Sequence, residues 1–544
     1  MRLVWVFKLG IFAFVSRLIT SQTCGPRRRK DWDMMTPIEK STYQGSVAAA
    51  MKSGEYVKFI EMHTEMMSER EAHRQCMFIY WHRFLLVAFE NMLRGQGPEF
   101  ACVTVPYFNW VSGNAKLTAG ACTSLGDCHT ITSELGGWTN GTRRTIAING
   151  VNATGRCITS PPYDQFCESL STKGTACARC IPRSNWGIVQ IPATTGYASV
   201  RNQVLTGKNI GQMSPIIEEG CHNNIHANML STMTTFAAPA EILFWSHHAM
   251  IDLLHVIFHK CRVGTDRMTF AQKASHSVAW TSCARRESNV TFQPTDVVTM
   301  RTGERGINPI SALSDPLVGR YFAGVPNQFA GLMDIRDLGA SSYGYSINGQ
   351  LASIYNKCDG SPVSRRLKEA NTTTSKPKMC GMADESNDYG SHNNFPETDY
   401  TGVDDGFQDV VIVSNSGKPV DENTPKEEYI SDPSELKVAN WYDQTVEAMG
   451  GDTQETMDDL ERQACMFEHV CMGGTKDYTE EFKITWKAKV PRCKAIVDAI
   501  INGSQSIQYK AWRDDMEAVF GCPEPTETSK TGISNAYESN SPYS

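Results

Sequence analysis

The sequence predicts a mainly α fold: a helical bundle with long disulfide-tied loops and a small helical C-terminal module. Three observations predict it. Apolar residues recur at helical spacing over Lys58–Arg94, Pro215–Met233 and Ala240–Arg262. The intervening segments, above all residues 111–210, are rich in glycine, threonine and cysteine and show little helical periodicity. Residues 437–522 then return to helical patterning, with Cys465, Cys471, Cys493 and Cys522 placed to staple a small unit.

Composition narrows the class. The chain has 544 residues, a length for two to four domains or for one large domain with an extension. Its 41% hydrophobic content supports a sizeable core, and a net charge of −7 gives no argument for nucleic acid or an anionic membrane surface as partner. Residues 1–21 read as a secretory signal peptide: Arg2, the apolar run Leu3–Val15 broken by Lys8, then Thr20 and Ser21. A signal anchor is the alternative, but the run is short and charge-broken. No other stretch nears the roughly 20 apolar residues of a membrane span. All 18 cysteines follow this leader, an even number that allows up to nine bridges in an oxidising compartment. Cys177 and Cys180 form a CxxC, read as disulfide cysteines because no second CxxC completes a zinc site. Sequons at Asn140, Asn152, Asn289, Asn371 and Asn502 fit a secreted glycoprotein.

The elements follow in order. Thr36, Pro37 and Glu39 form a capping-box signature for a first helix. Lys58–Arg94 is closed by Gly95 and Gly97, and Val103–Trp110 is a short extended apolar segment. Residues 111–210 are expected to be irregular and disulfide-tied. Helical character returns at Pro215–Met233 and is strong over Ala240–Arg262. Residues 263–356 look irregular and end in YGYSING, Tyr343–Gly349. The main domain is therefore taken as 22–355. Residues 356–436 read as an acidic linker, with Asp384, Glu385, Asp388, Asp404, Asp405, Asp421 and Glu422 but no regular calcium-binding loop. The module spans 437–522, and the polar tail 523–544 reads as disordered.

The thirteen histidines cluster. His63, His73 and His82 fall in one short stretch; His222, His226, His247, His248, His255 and His259 fall in another. His129, His276, His392 and His469 stand apart, and solvated or structural roles are their default. His73 and His82 are nine residues apart, about 900° of helix and half a turn out of phase. They can meet one ion only if His73 lies on a bend before the helix that carries His82. The aromatic run around His82 (Phe78, Tyr80, Trp81 and Phe84) keeps an imidazole neutral, as a metal ligand must be. His222 and His226 share one helical face. His247 and His248 are adjacent, about 100° apart, so only one of them can join that pair. Two three-histidine groups suit copper, iron or zinc and leave coordination positions open for chemistry or ligand binding.

These pieces resemble the tyrosinase family. The run from His73 through Phe78, Ile79, Tyr80, Trp81, His82, Arg83 and Leu86 to Glu90 is similar to its first copper signature. Phe244, Trp245, His248 and Asp252 resemble the second, although Glu241-Ile242 replaces Asp-Pro upstream. VPYFNW, Val105–Trp110, resembles VPYWDW, and YGYSING resembles the tyrosine motif that ends the catalytic domain. The resemblance covers residues 24–355 and leaves the C-terminal third unmatched.

The resemblance implies a helical bundle holding a di-copper centre, with two copper ions bound by His63, His73 and His82 and by His222, His226 and His248. His247 becomes a supporting residue. His255 stands where the family has tryptophan, and an additional ligand on the stripe His248, Asp252, His255, His259 is conceivable. Glu71 occupies the position at which some members carry a cysteine–histidine thioether, so no such crosslink is expected; Cys76 does not substitute. Glu219 (with Glu218 as the alternative) and Asn223 are expected to hold a water that takes the phenol proton. Phe244 is expected to stack on the substrate ring, and the small Ala227 to leave the entrance open.

The implied function is secreted oxidation of monophenols and o-diphenols to o-quinones, with a phenolic small molecule and molecular oxygen as partners. A catechol oxidase, a haemocyanin-like oxygen-binding protein and a redox-silent homologue are the rivals. Some family members carry a C-terminal extension that shields the site until cleavage, and this module is a candidate for one. Oligomeric state is open.

Overall fold

Thr36 begins the first helix as its capping box requires, its hydroxyl accepting from the Glu39 N–H while the Glu39 carboxylate accepts from the Thr36 N–H. The computed structural model describes residues 24–358 and 407–522, apart from 175, 281–282, 287–289 and 422. The expected signal peptide, most of the acidic stretch and the C-terminal tail lie outside the described residues.

The N-terminal helices are α1 (Pro37–Ser53), α2 (Glu55–Thr64), α3 (Met66–Ala72) and α4 (Phe78–Arg94). Gly54, at φ 88°, caps α1 in the left-handed region and lets α2 start at once. Next come α5 (Trp110–Thr118), α6 (Thr130–Glu134), α7 (Tyr197–Thr206), α8 (Ile210–Ile217), α9 (Asn223–Met229) and α10 (Ile242–Arg262). Buried almost throughout, α4 and α10 pack on each other at the centre. The short α11 (Phe270–Ala274) and α12 (Gly349–Asn356) complete this body.

Residues 111–210 are more regular than their composition predicts. β2 (Arg143–Ile148), β3 (Val151–Ile158) and β4 (Ile181–Arg183) form an antiparallel sheet. The β2–β3 turn is Asn149-Gly150, both at positive φ, the asparagine–glycine turn that suits a two-residue hairpin. Within the same region α7 is buried on almost every side, so it lacks the polar face that a periodicity search detects.

The stretch assigned to an acidic linker is also partly structured. Tyr345 in β7 (Gly344–Ile347) pairs in parallel with Val410 in β8 (Val410–Val413). The sheet runs β1 (Arg28–Arg29), β7, β8, β9 (Pro419–Val420). α13 (Pro433–Ala448) packs on α5 and α12, so residues 407–448 belong to the main body. The C-terminal unit proper is α14 (Gln454–Cys471), α15 (Glu480–Trp486), α16 (Arg492–Ile501) and α17 (Trp512–Phe520).

Cys465–Cys493 and Cys471–Cys522 staple that unit, using the four expected cysteines. Six further bridges lie within residues 24–358. Cys177 and Cys180 are both bridged, to Cys167 and Cys157 respectively. Among the described residues no disulfide joins the C-terminal unit to the body, and the buried Cys221 is free. The unit is held by α14 lying on α7, where Glu461 accepts from Ser199, Asn202 and Arg492.

Candidate metal centre

His63 ends α2, and its Nδ1–H donates to the Phe236 carbonyl at 2.7 Å. α3 stops at Ala72, and His73 follows in extended conformation, so the bend that the nine-residue spacing demands is present. Arg74 lies at φ 58°, and its N–H donates to the Glu218 carboxylate at 2.7 Å, while Cys76–Cys283 ties the same bend down. His82, in the second turn of α4, donates from Nδ1 to the Phe78 carbonyl at 2.9 Å. The ring centroids of His73 lie 4.8 Å from His63 and 5.1 Å from His82.

The second group is built on a broken helix. Between α8 and α9 the chain makes a π-turn, Glu218–His222, with Gly220 at φ −86°, ψ −114°. His226 Nδ1–H donates to the Met233 carbonyl at 2.7 Å. His222 Nδ1 has the Asn223 side-chain oxygen at 3.0 Å and the Glu218 carbonyl at 3.3 Å. α10 brings His247 and His248 to this pair, and one nitrogen from each of the four comes within 4.8 Å of the others. The nitrogens of His63, His73 and His82 meet the same limit. The two groups face each other: His82 stacks on His248, centroids 4.3 Å apart and planes 12° from parallel.

All these rings are buried. Burial lowers the pKa of His63 to about 4 and that of His222 to about 3, and holds His73, His82, His226 and His248 well below the ordinary value. Each is therefore neutral at pH 7. Where Nδ1–H is spent on a carbonyl, Nε2 keeps its lone pair, and the Nε2 atoms of His63, His82, His222 and His226 are buried without a protein partner. Neither nitrogen of His73 or His248 has a hydrogen-bond partner, although His73 Nδ1 lies 3.8 Å from the Glu69 carboxylate. Six neutral imidazoles without a carboxylate fit a pair of copper ions.

Three residues expected at the site have these surroundings. Glu219 is exposed, and the buried acid is Glu218, which holds the Arg74 N–H beside His73. The chain makes its π-turn over Glu218–His222, with Glu218 inward and Glu219 outward. Asn223 turns its oxygen to His222 Nδ1. Phe244 is fully buried against His248, His63 and His226, at 4.2, 5.2 and 6.0 Å, and packs these rings together. His255 turns to Tyr80, 5.0 Å edge-on, and stays outside both groups.

Behind the histidines lies a buried ion network. Asp252 accepts from Arg83 at 2.6 Å, from the Tyr343 and Tyr345 hydroxyls at 2.6 and 2.7 Å, and from Arg29 at 3.3 Å. Burial pushes the Glu90 carboxyl up, but Arg29 and Arg27 outweigh it and hold the pKa at about 2. This network locks α4, α10, β1 and β7 together.

Sequence reasoning missed Trp486. The last residue of α15 sets its indole against His226 (4.9 Å), His73 (5.1 Å), Phe236 (5.2 Å) and His222 (6.0 Å), and donates to the Thr234 carbonyl at 2.8 Å. Tyr478 and Phe482 continue the aromatic face, and the half-buried Ala227 packs against it while also lining a neighbouring cavity. The four-residue spacing of these aromatics in a polar stretch was the available signal.

A helical bundle thus brings two buried histidine groups face to face, each able to hold a metal ion. Comparison with known proteins agrees. Residues 53–260 match the family model for the common central domain of tyrosinase. A tyrosinase from Streptomyces glaucescens is 26% identical over 242 residues, covering 42% of this chain and 80% of its own. Among solved structures, a functional unit of octopus hemocyanin is similar at 15% identity and TM-score 0.35, over 58% of this chain and 67% of its own. A recombinant mushroom tyrosinase is similar at 16% identity and TM-score 0.30, over 56% and 61%. Over residues 53–260 the chain is thus similar to the type-3 copper, tyrosinase-like proteins. The family matched there implies a binuclear copper centre. No described helix is long and apolar enough to cross a membrane, and the disulfides are compatible with an extracellular location.

Proposed function

We propose that this chain is a secreted copper oxidase that converts monophenols and o-diphenols to o-quinones with molecular oxygen. His63, His73 and His82 hold one copper and His222, His226 and His248 the other. The observation that carries the reading is the pair of facing, buried histidine groups, His63, His73 and His82 against His222, His226, His247 and His248, with no carboxylate among them. A copper pair bound there supplies the two-electron reduction of oxygen coupled to phenol oxidation. The chain's own residues orient the ligands: Phe236, Phe78 and Met233 carbonyls fix His63, His82 and His226, and Asn223 fixes His222.

The module serves as a shield. Trp486 occupies the approach to His73 and His226, so a phenol ring enters only after α15 moves. Asn140, Asn152 and Asn502 are exposed, as glycan acceptors must be, which supports passage through a secretory route.

The test is oxygen consumption by the copper-loaded chain with a monophenol and then a catechol, before and after limited proteolysis ahead of α14. Turnover of both substrates after cleavage is expected. Turnover of catechol alone identifies a catechol oxidase. Reversible oxygen uptake without turnover, in a cleaved chain holding both coppers, identifies a carrier and rejects the oxidase reading.

A further inference from the structure

Trp110 ends the VPYFNW stretch, a signature with no role so far. Backbone pairing sets it against α10: the Phe108 N–H donates to the Ser246 carbonyl at 2.9 Å. The fully buried indole then reaches His247, its Nε1 lying 3.2 Å from the imidazole Nδ1. An indole nitrogen only donates, so Nδ1 accepts, and the proton of the neutral imidazole sits on Nε2. Turning the ring over would set a carbon against the indole N–H and leave that donor unsatisfied in a buried place.

His247 thus differs from its neighbours. In His226 the Nδ1 proton goes to a carbonyl and Nε2 keeps a lone pair. In His247 that polarity is reversed, and its Nε2, which has no protein partner, carries hydrogen. Geometry alone does not exclude it from the second group, since its nitrogen falls within the same 4.8 Å limit as those of His222, His226 and His248. The tautomer does.

We propose that Trp110 is a positioning residue that withholds His247 from the second metal, keeping that site at three histidine ligands. This rests on the copper reading above. Four histidines complete a tetrahedral shell of the kind that structural zinc prefers, whereas three leave a position open for oxygen or substrate. The fully buried Trp110 thereby sets both the openness and the metal preference of the site.

The experiment uses the full chain, with copper content by atomic absorption and zinc affinity of the metal-free protein by chelator competition. The parent takes up two coppers. His247→Asn keeps an acceptor near the place of Nδ1 for the indole and removes the nitrogen facing the cluster; it too takes up two. Trp110→Phe keeps an aromatic ring but frees the tautomer, and the zinc affinity of the second site rises about tenfold or more. Adding His247→Asn to Trp110→Phe returns it to the parent value. One copper per chain in His247→Asn shows that His247 is a ligand and overturns the proposal, as does parental zinc affinity in Trp110→Phe. A parent that takes up no copper fails the copper reading itself, and is distinguished by that.

Discussion

Replacing Trp486 with alanine removes the ring that covers His73 and His226. The indole is 4% exposed. A buried tryptophan covers about 150–250 Å², worth about 4–6 kcal/mol at about 25 cal/mol per Å². The Nε1–H bond to the Thr234 carbonyl adds about 1 kcal/mol. Measured truncations of this kind cost about 3–5 kcal/mol. Nearly all the lost contacts join α15 to the body, so the cost falls on docking of the shield rather than on either core. Even about 1.4 kcal/mol shifts docking tenfold. The assay is initial oxygen consumption with a catechol, using the uncleaved, copper-loaded chain. Trp486→Ala is expected to raise kcat/KM by about tenfold or more, and Trp486→Phe, which keeps a ring but loses the hydrogen bond, by less. A folded Trp486→Ala chain with full copper and parental turnover would refute the idea that this ring closes the site.

Three further outcomes are expected. Glu218→Ala, which frees the Arg74 N–H beside His73, lowers copper affinity about 10–100-fold in a chelator titration, whereas Glu219→Ala, at an exposed position, leaves it unchanged. Glu468 accepts the Ala193 N–H at the seam of the module, and burial raises its carboxyl from 4.5 to about 7. A raised acid binds its proton more tightly when docked. Docking therefore weakens as pH rises from 4.5 through 7, by on the order of 3 kcal/mol. Limited proteolysis at pH 5 and pH 8 reads this directly, and Glu468→Gln should abolish the difference. Asp252→Ala leaves Arg83 and Arg29 buried without their shared carboxylate, at about 3–5 kcal/mol, seen as a lower denaturation midpoint.

Legibility in the sequence followed the range of the interaction. The bend before His82 was forced by helix geometry alone, because nine residues cannot place two side chains on one face. The capping box at Thr36 was equally local, and the Asn149-Gly150 hairpin was a local signal passed over. Arg83 and Glu90 stand out only as charges in an apolar helix, and their partners come from β1, β7 and α10. The outward turn of Glu219 goes with the π-turn at Gly220, which spacing does not encode. β8 was hidden because its strand is short and its pairing partner, β7, lies some 65 residues earlier, across a polar stretch.

The sequence by itself determined the helical class, the two histidine groups and their resemblance to a copper-oxidase family, because each rests on spacing within one element or on a contiguous motif. Only the tertiary structure decided which histidines face one another, which nitrogen of each is free, and what covers them. Those depend on carbonyls, an indole and a helix contributed from far along the chain. Trp486 reaches His73 across more than four hundred residues, and no local pattern encodes a contact of that span.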